Sequence, residues 1–243
     1  MLINVDAKAL EWFAAVYLSQ DKVGMKECHD ITVDIHGDNQ GRLKLPDRLT
    51  SKKFLFRLIF GGTAPAYAND PEFKEVGWDT KKWQHAIDNF YGKYEGLNRW
   101  HNDLMNSVIT SATHSLIMPT GRIYTYEPYL KRGELTWPRT TILNYPVQGL
   151  GADLMTIARI LLHSWKKEQL PTDVLLLSTV HDSILIDSPK KYIDKTVKML
   201  YDVWNEIPKE FERQFGVAFN IPLRCEVSIG KDWGNMEVVK NAN

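Results

Sequence analysis

Cysteine is scarce: Cys28 and Cys225 are the only two in 243 residues, and neither stands at a metal-ligand spacing. That argues against a disulfide framework or a zinc knuckle and for a reducing compartment. Long apolar runs are absent too. No stretch approaches the ~18–20 residues needed to cross a bilayer, and Met1 is not followed by the basic-then-apolar pattern of a signal peptide. The expectation is a cytoplasmic protein with no membrane partner. Excess charge of either sign is also missing, since 30 Lys and Arg balance 30 Asp and Glu. A chain that grips a polyanion unaided usually carries a basic excess. Either the cations are gathered on one face, or much of any such grip belongs to another chain. There are no internal repeats. What remains is ordinary: 44% hydrophobic and 25% charged residues, a globular composition long enough for one large domain or two small ones.

Leu2 to Val5 reads as a short buried strand ending at Asp6, and Ala7 to Ser19 as a mostly buried helix. A polar loop from Asp34 to Gly41 follows. Pro46-Asp47 then opens a helix that Gly61-Gly62 stops. A long helical tract from Thr80 to about Thr113 breaks near Gly96. Pro119-Thr120-Gly121 is a turn before a strand at Arg122–Tyr126. Gln148 to Lys167 predicts another helix. Val174–Val180 and Ile184–Ile186, parted by His181-Asp182-Ser183, predict a hairpin with polar residues at its tip. A helix from about Tyr192 to Phe215 and a strand at Leu223–Ile229 end the pattern. Strands at the start, middle and end with helices between suit an α+β core sheet with a helical insertion.

Asp6 at a strand end and Asp182 at a hairpin tip are acids that a rigid sheet can hold toward a substrate. Two such carboxylates converging from neighbouring strands can bind two Mg²⁺ ions for an in-line phosphoryl displacement. Taken singly, strand-end aspartates are more often turn formers, and spacing alone does not show convergence. On the helix after Pro46, Arg48, Lys52, Phe56 and Phe60 recur every fourth residue. They form one drifting stripe with cations first and aromatics last. Such a stripe can meet a nucleoside triphosphate lengthwise, cations on phosphates and rings on sugar and base. The competing reading is an amphipathic helix with core phenylalanines and solvated cations.

Asp6-Ala7-Lys8-Ala9-Leu10-Glu11 resembles the first carboxylate motif of family A DNA polymerases. The Arg48–Lys52–Phe56–Phe60-Gly61 stripe resembles that family's fingers motif, and Val180-His181-Asp182 its third motif. Asn144 to Gly149 resembles the helix that touches primer–template. Asp34-Ile35-His36, Tyr94-Glu95-Gly96, Thr120-Gly121-Arg122 and Glu226 to Trp233 fall in the family's order. The resemblance therefore covers nearly the whole chain. It implies a right-hand polymerase fold, an antiparallel palm sheet with a helical fingers insertion, lacking thumb and exonuclease domain. The first palm part is 1–33, the fingers 34–118 and the second palm part 119–243. The implied activity is template-directed DNA synthesis with two Mg²⁺ ions, or Mn²⁺ in their place, held by Asp6, Asp182 and the Ala7 carbonyl. Lys52 is implied as triphosphate ligand and general acid. Arg48 and His36 are implied on the outer phosphates, Glu11 as the gate against a ribose 2′-hydroxyl, and Phe56 and Phe60 beside sugar and base. Arg122, Arg139, Asn144, Gln148 and His181 are implied on DNA, Asn144 and Gln148 in the minor groove.

Three positions depart from the family pattern. Ser183 stands where a glutamate usually follows the third-motif aspartate, Phe60 where a tyrosine is common, and Thr140 where an arginine is expected, with Arg139 beside it. In the family, phenylalanine at the Phe56 position goes with rejection of dideoxynucleotides. Complete members have a thumb and early palm before the first motif, often after a 3′–5′ exonuclease-like domain. The expectation is either a split polymerase, of phage type, whose separate upstream chain carries the thumb and in some cases a 3′–5′ exonuclease, or a shortened piece of a longer polymerase chain. The split reading predicts an extensive, partly apolar interface on the first strand and the neighbouring palm surface. Host cytoplasm would then be its compartment. Competing readings are a catalytically silent DNA-binding or assembly subunit and a two-metal nuclease.

Overall fold

The apolar alternation at the start of the chain becomes the middle of a sheet. In the computed structural model, which describes residues 1–239, β1 (Leu2–Ala7) pairs antiparallel with β7 (Ser183–Asp187) on one side and β8 (Cys225–Gly230) on the other. The hairpin partner β6 (Leu175–Val180) and a short β9 (Met236–Val238) are the edges, giving the order β6-β7-β1-β8-β9. On β1, Ile3, Val5 and Ala7 are buried while Leu2, Asn4 and Asp6 are half-buried, the period of two expected of a strand. β1 is thus paired along both of its edges. At the β6 edge, Leu175 and Leu177 are on the surface beside a bulge between Leu176 and Ser178. Bulges of this kind blunt a free edge.

This sheet belongs to one of two compact units, formed by Met1–Leu10 and the chain from Gly149 onward. Its long helix, α9 (Ile193–Phe215), packs on β8 and β1. Met199, Leu200, Val203, Trp204, Ile207 and Phe211 are its buried stripe at helical spacing. Gly216 at φ +68° ends it in a left-handed cap.

The second unit, Glu11–Gln148, is mainly helical. It contains α1 (Leu10–Ser19), α2 (Lys22–His29), α3 (Ile35–Leu43), α4 (Arg48–Ile59), α5 (Ala64–Ala68), a 3₁₀ turn at Pro71–Val76, α6 (Thr80–Lys93) and α7 (Glu95–Thr110). Two small hairpins follow, β2 (Ser115–Ile117) with β3 (Ile123–Thr125) and β4 (Tyr129–Lys131) with β5 (Glu134–Thr136). The chain then enters α8 (Arg139–Gln169), which runs on into the sheet unit. The helical core is aromatic: Phe54, Tyr67, Trp83 and Phe90 pack ring against ring, with centroids 5.0–6.1 Å apart.

Three sequence expectations need correction. The polar stretch from Asp34 to Gly41 is not a loop but the body of α3, which packs on α4 and α6. Tertiary burial of Asn39 and Leu43 outweighs the weak helix propensity of its glycines, aspartate and asparagine. The helix expected from Gln148 begins at Arg139, so Asn144 and Pro146 are helical. Pro146 lies inside α8, past its first turn, and leaves the Ile142 carbonyl without its intrahelical donor. The β4–β5 hairpin and α2 were not expected at all. The functional division at 33/34 and 118/119 differs from this division by compactness, which falls at 10/11 and 148/149.

Candidate active site

Strand register brings the two aspartates together. Asp6 lies opposite Ser183, and the Ala7 N–H donates to the Asp182 carbonyl at 2.9 Å. The two carboxylates thus leave the same end of two hydrogen-bonded strands. Asp6 also lies opposite Glu226 on β8. Directly opposed residues share a face of a sheet, so Asp6, Ser183 and Glu226 point the same way. Glu226 is ion-paired with Lys8 at 3.2 Å. Ser183 is buried, and its hydroxyl donates to the Val180 carbonyl at 3.0 Å. Both aspartates are half-buried. Burial pushes the Cys225 thiol up to about 12, with the Asp6 charge adding to the rise and Lys8 opposing it. That cysteine is chemically quiet. Both cysteines are buried and neither is in a disulfide.

His181 is the first of two residues in the β6–β7 turn and has φ +53°. The left-handed region is uncommon for a residue with a side chain, although histidine tolerates it better than most. Its ring is exposed.

In the helical unit, Asp47 caps α4 by accepting from the Thr50 N–H at 2.8 Å. Ser51, Phe54, Leu55, Leu58 and Ile59 form the buried face of α4. The Arg48–Lys52–Phe56–Phe60 stripe is on the other side: the cations are exposed and the two rings half-buried. The stripe is therefore not the core face. Phe60 ends the helix and Gly61 follows at φ +85°, where an added Cβ would lie 2.9 Å from Leu143 Cδ1. Only glycine fits that stop.

The start of α3 faces the same stripe. Asp34 takes both sides of the Arg48 fork, with Nε to Oδ2 at 2.7 Å and Nη2 to Oδ1 at 2.8 Å. This bidentate pair holds the guanidinium in one plane. It also lowers the Asp34 carboxyl to about 2, the Arg48 hydrogen bond being the largest cause. The His36 ring is 5.8 Å from that of Phe56, and Lys52 Nζ is 5.7 Å from the Phe56 centroid. Burial, then the charges of Arg48 and Lys52, lower His36 to about 4. At neutral pH it is an uncharged imidazole. Asp34 is the site residue that the sequence reading did not single out; its signal was an acid two residues before His36.

The remaining candidates are spread along the helical unit. Glu11 is half-buried in the first turn of α1. Arg122 is exposed just before β3. Asn144 and Gln148 are one helical turn apart on α8 and so share a face. Arg139 is half-buried at the start of α8, and its charge reaches Tyr91 and His101. Arg139 is thus engaged toward α6 and α7, whereas its neighbour Thr140 is exposed.

The donors at Asp6 and Asp182 are hard oxygens, the set that Mg²⁺ prefers, and Mg²⁺ is commonly held by only one or two carboxylates. Among the described residues there is no group of three or more His, Cys, Asp or Glu placed to hold a metal. The residues present fit a pair of Mg²⁺ ions held in part by the substrate phosphates.

Comparison with known proteins agrees with this fold. The family model for DNA polymerase family A matches residues 1–235, and the chain belongs to that family. It is 24% identical to DNA polymerase I of Borreliella burgdorferi over 249 residues, covering 97% of this chain and 25% of that protein. It is 21% identical to a DNA polymerase of Bacillus phage SP01 over 188 residues, covering 77% of this chain and 20% of that protein. Of solved structures, the POL domain of Pol1 from M. smegmatis, in complex with DNA primer-template and dNTP, is similar with a TM-score of 0.77 at 17% identity. That match covers 96% of this chain and 40% of the other. The chain spans a fifth to a quarter of the two curated relatives named. No helix among the described residues is long and apolar enough to cross a membrane.

Proposed function

We propose that the chain carries the catalytic centre of template-directed DNA synthesis, transferring a nucleotide from a dNTP to a primer 3′-hydroxyl. The observation that carries this reading is the β1–β7 register, which puts Asp6 and Asp182 at one end of adjacent strands. In this reading the palm is 1–33 with 119–243 and the fingers are 34–118. The similar mycobacterial polymerase domain was solved with primer-template and dNTP, the substrates proposed here.

Asp6, Asp182 and the Ala7 carbonyl would hold two Mg²⁺ ions, which when bound stabilise the attacking and leaving oxygens. Arg48 and Lys52 bind the triphosphate from the exposed side of α4, with neutral His36 donating a hydrogen bond rather than a charge. Lys52 gives a proton to the departing pyrophosphate. Phe56 lies against the sugar and Phe60 against the nascent pair. Glu11 excludes a 2′-hydroxyl. Asn144 and Gln148 meet the primer–template from one face of α8, with Arg122 and Arg139 on the DNA backbone. His181, on its strained turn, positions the primer end.

The neutral charge of the chain leaves DNA grip to be supplied by a thumb-bearing part of the polymerase, proposed to be a separate upstream chain. Primer extension with Mg²⁺ and dNTPs, with and without such a part, tests the reading. Gain of primer nucleotides is expected. Loss of primer nucleotides would make the protein a nuclease, and no change under either condition would make it a silent subunit.

A further inference from the structure

Arg48 is the first residue of α4, and a guanidinium offers two forks. Nε and one Nη make a side edge, and the two Nη groups make an end edge. Asp34 takes the whole side edge of Arg48, with Oδ2 on Nε at 2.7 Å and Oδ1 on Nη2 at 2.8 Å. That pairing leaves the end edge open to a second bidentate acceptor, and a phosphate has the oxygens to match it.

The acid is itself held in place. Asp34 stands at the N-cap of α3, and its backbone carbonyl accepts from the Asp38 N–H at 2.9 Å. The helix thus fixes the backbone that carries the carboxylate. Gly37 leaves room for that carboxylate, because a Cβ there would lie 2.8 Å from Asp34 Oδ2. The side chains of Arg48 and Asp34 are 57% and 49% exposed, and an exposed ion pair adds little to stability. Its consequence is the direction in which it sends the guanidinium.

We propose that Asp34 is a positioning residue for dNTP binding, holding Arg48 so that a fixed end edge meets the outer phosphates in place of a freely rotating side chain. This role rests on the reading of α4 as the triphosphate-binding helix. Charge by itself works the other way, because a carboxylate beside a polyanion repels it. Removing Asp34 would lower the KM for dNTP if only its charge counted, and raises it if the grip on Arg48 counts. A lysine offers no fork, so the effect of Asp34 requires the arginine.

The test is steady-state primer extension at varied dNTP, with the thumb-bearing part added where extension requires it. Asp34→Ala should raise the KM for dNTP roughly three- to tenfold, the range for freeing one long side chain, with kcat little changed. Asp34→Glu keeps a carboxylate within reach of the fork and should recover most of the loss. Asp38→Asn removes a charge from the first turn of α3 and should leave KM unchanged. Gly37→Ala should crowd the carboxylate off the fork and raise KM. The same change should hold or raise the urea midpoint, because alanine is the better helix former; a merely structural role would not part the two. In an Arg48→Lys background, adding Asp34→Ala should cost little more. The proposal is overturned by a KM that falls or does not move in Asp34→Ala, or in Gly37→Ala should the first variant not fold. A loss of the same size in the Arg48→Lys background overturns it too. Either result leaves the polymerase reading standing, whereas a wild-type chain that extends no primer overturns both.

Discussion

Phe56 lies half-buried between the ring of His36 and the ammonium of Lys52, and its para position carries no hydroxyl. On the proposed placement of α4 at the incoming nucleotide, the resemblance to family A implies that phenylalanine at this position discriminates against dideoxynucleotides. Phe56→Tyr is therefore expected to raise dideoxynucleotide incorporation relative to dNTP. Equal termination ratios for the two proteins in a sequencing-type assay would refute the placement of α4. His181 is a second residue whose geometry makes a statement, since its φ of +53° costs of order 1 kcal/mol in a residue with a Cβ. His181→Gly should keep the unfolding free energy or raise it by up to about 1 kcal/mol, while slowing primer extension. Lower stability, or undiminished extension, would remove the reason for a histidine there. At this scale the sequence named candidate side chains but not which ones meet. Asp6 and Asp182 read as strand-end acids, and only strand register joined them. Asp34 was visible but its partner was not, because the Arg48 fork reaches it from 14 residues away.

Elements were legible where local chemistry and burial agreed. The cap at Asp47 and the stop at Gly61 bracket α4 as expected, and the β6–β7 hairpin has its polar tip. Where the two disagreed, the sequence misled. Helix α3 has a helix-poor composition rescued by packing, and the β4–β5 hairpin hides because its apolar pair faces solvent. A further element-level feature concerns Asp21, which is buried and accepts four backbone N–H groups. Oδ1 takes those of Val23 and Gly24 at 3.0 and 2.8 Å, and Oδ2 those of Gly96 and Leu97 at 2.7 and 3.2 Å. One carboxylate thus caps α2 and the start of α7 together. Gly96 is needed for this approach, because a Cβ there would lie 2.7 Å from Asp21 Cα. Asp21→Ala should cost about 2–4 kcal/mol, more than one lost cap, since four donors lose a charged acceptor. Chemical denaturation measures it, and a loss below about 1 kcal/mol would show that water satisfies those donors.

For the whole chain, two buried imidazoles set the response to acid. His36 is held at about 4 and His101 at about 3, in both cases chiefly by burial, with nearby Arg48 and Lys52 or Arg139 adding to it. Both lie below the unfolded value of about 6.5. The unfolded chain therefore takes up protons first, and stability is complete above that value and declines as pH falls from about 6.5 toward 4. Urea midpoints should be lower at pH 4.5 than at pH 7.5; equal midpoints would mean that these rings are solvated. Asp34, held at about 2, adds its own loss only at still lower pH. Fold class was readable because the ordered motifs span the chain, whereas the two compact units, with cuts at 10/11 and 148/149, were not. A helix as long as α8 that serves both units gives no sequence signal of a boundary. The central claim is that Asp6 and Asp182 act as one catalytic unit. Its most direct test is primer extension by Asp6→Asn, Asp182→Asn and the double variant, each checked for folding by circular dichroism. Groups that act as a unit are non-additive, so each single variant should lose about a hundredfold or more and the double little beyond that. Single variants that retain wild-type rates would contradict the claim.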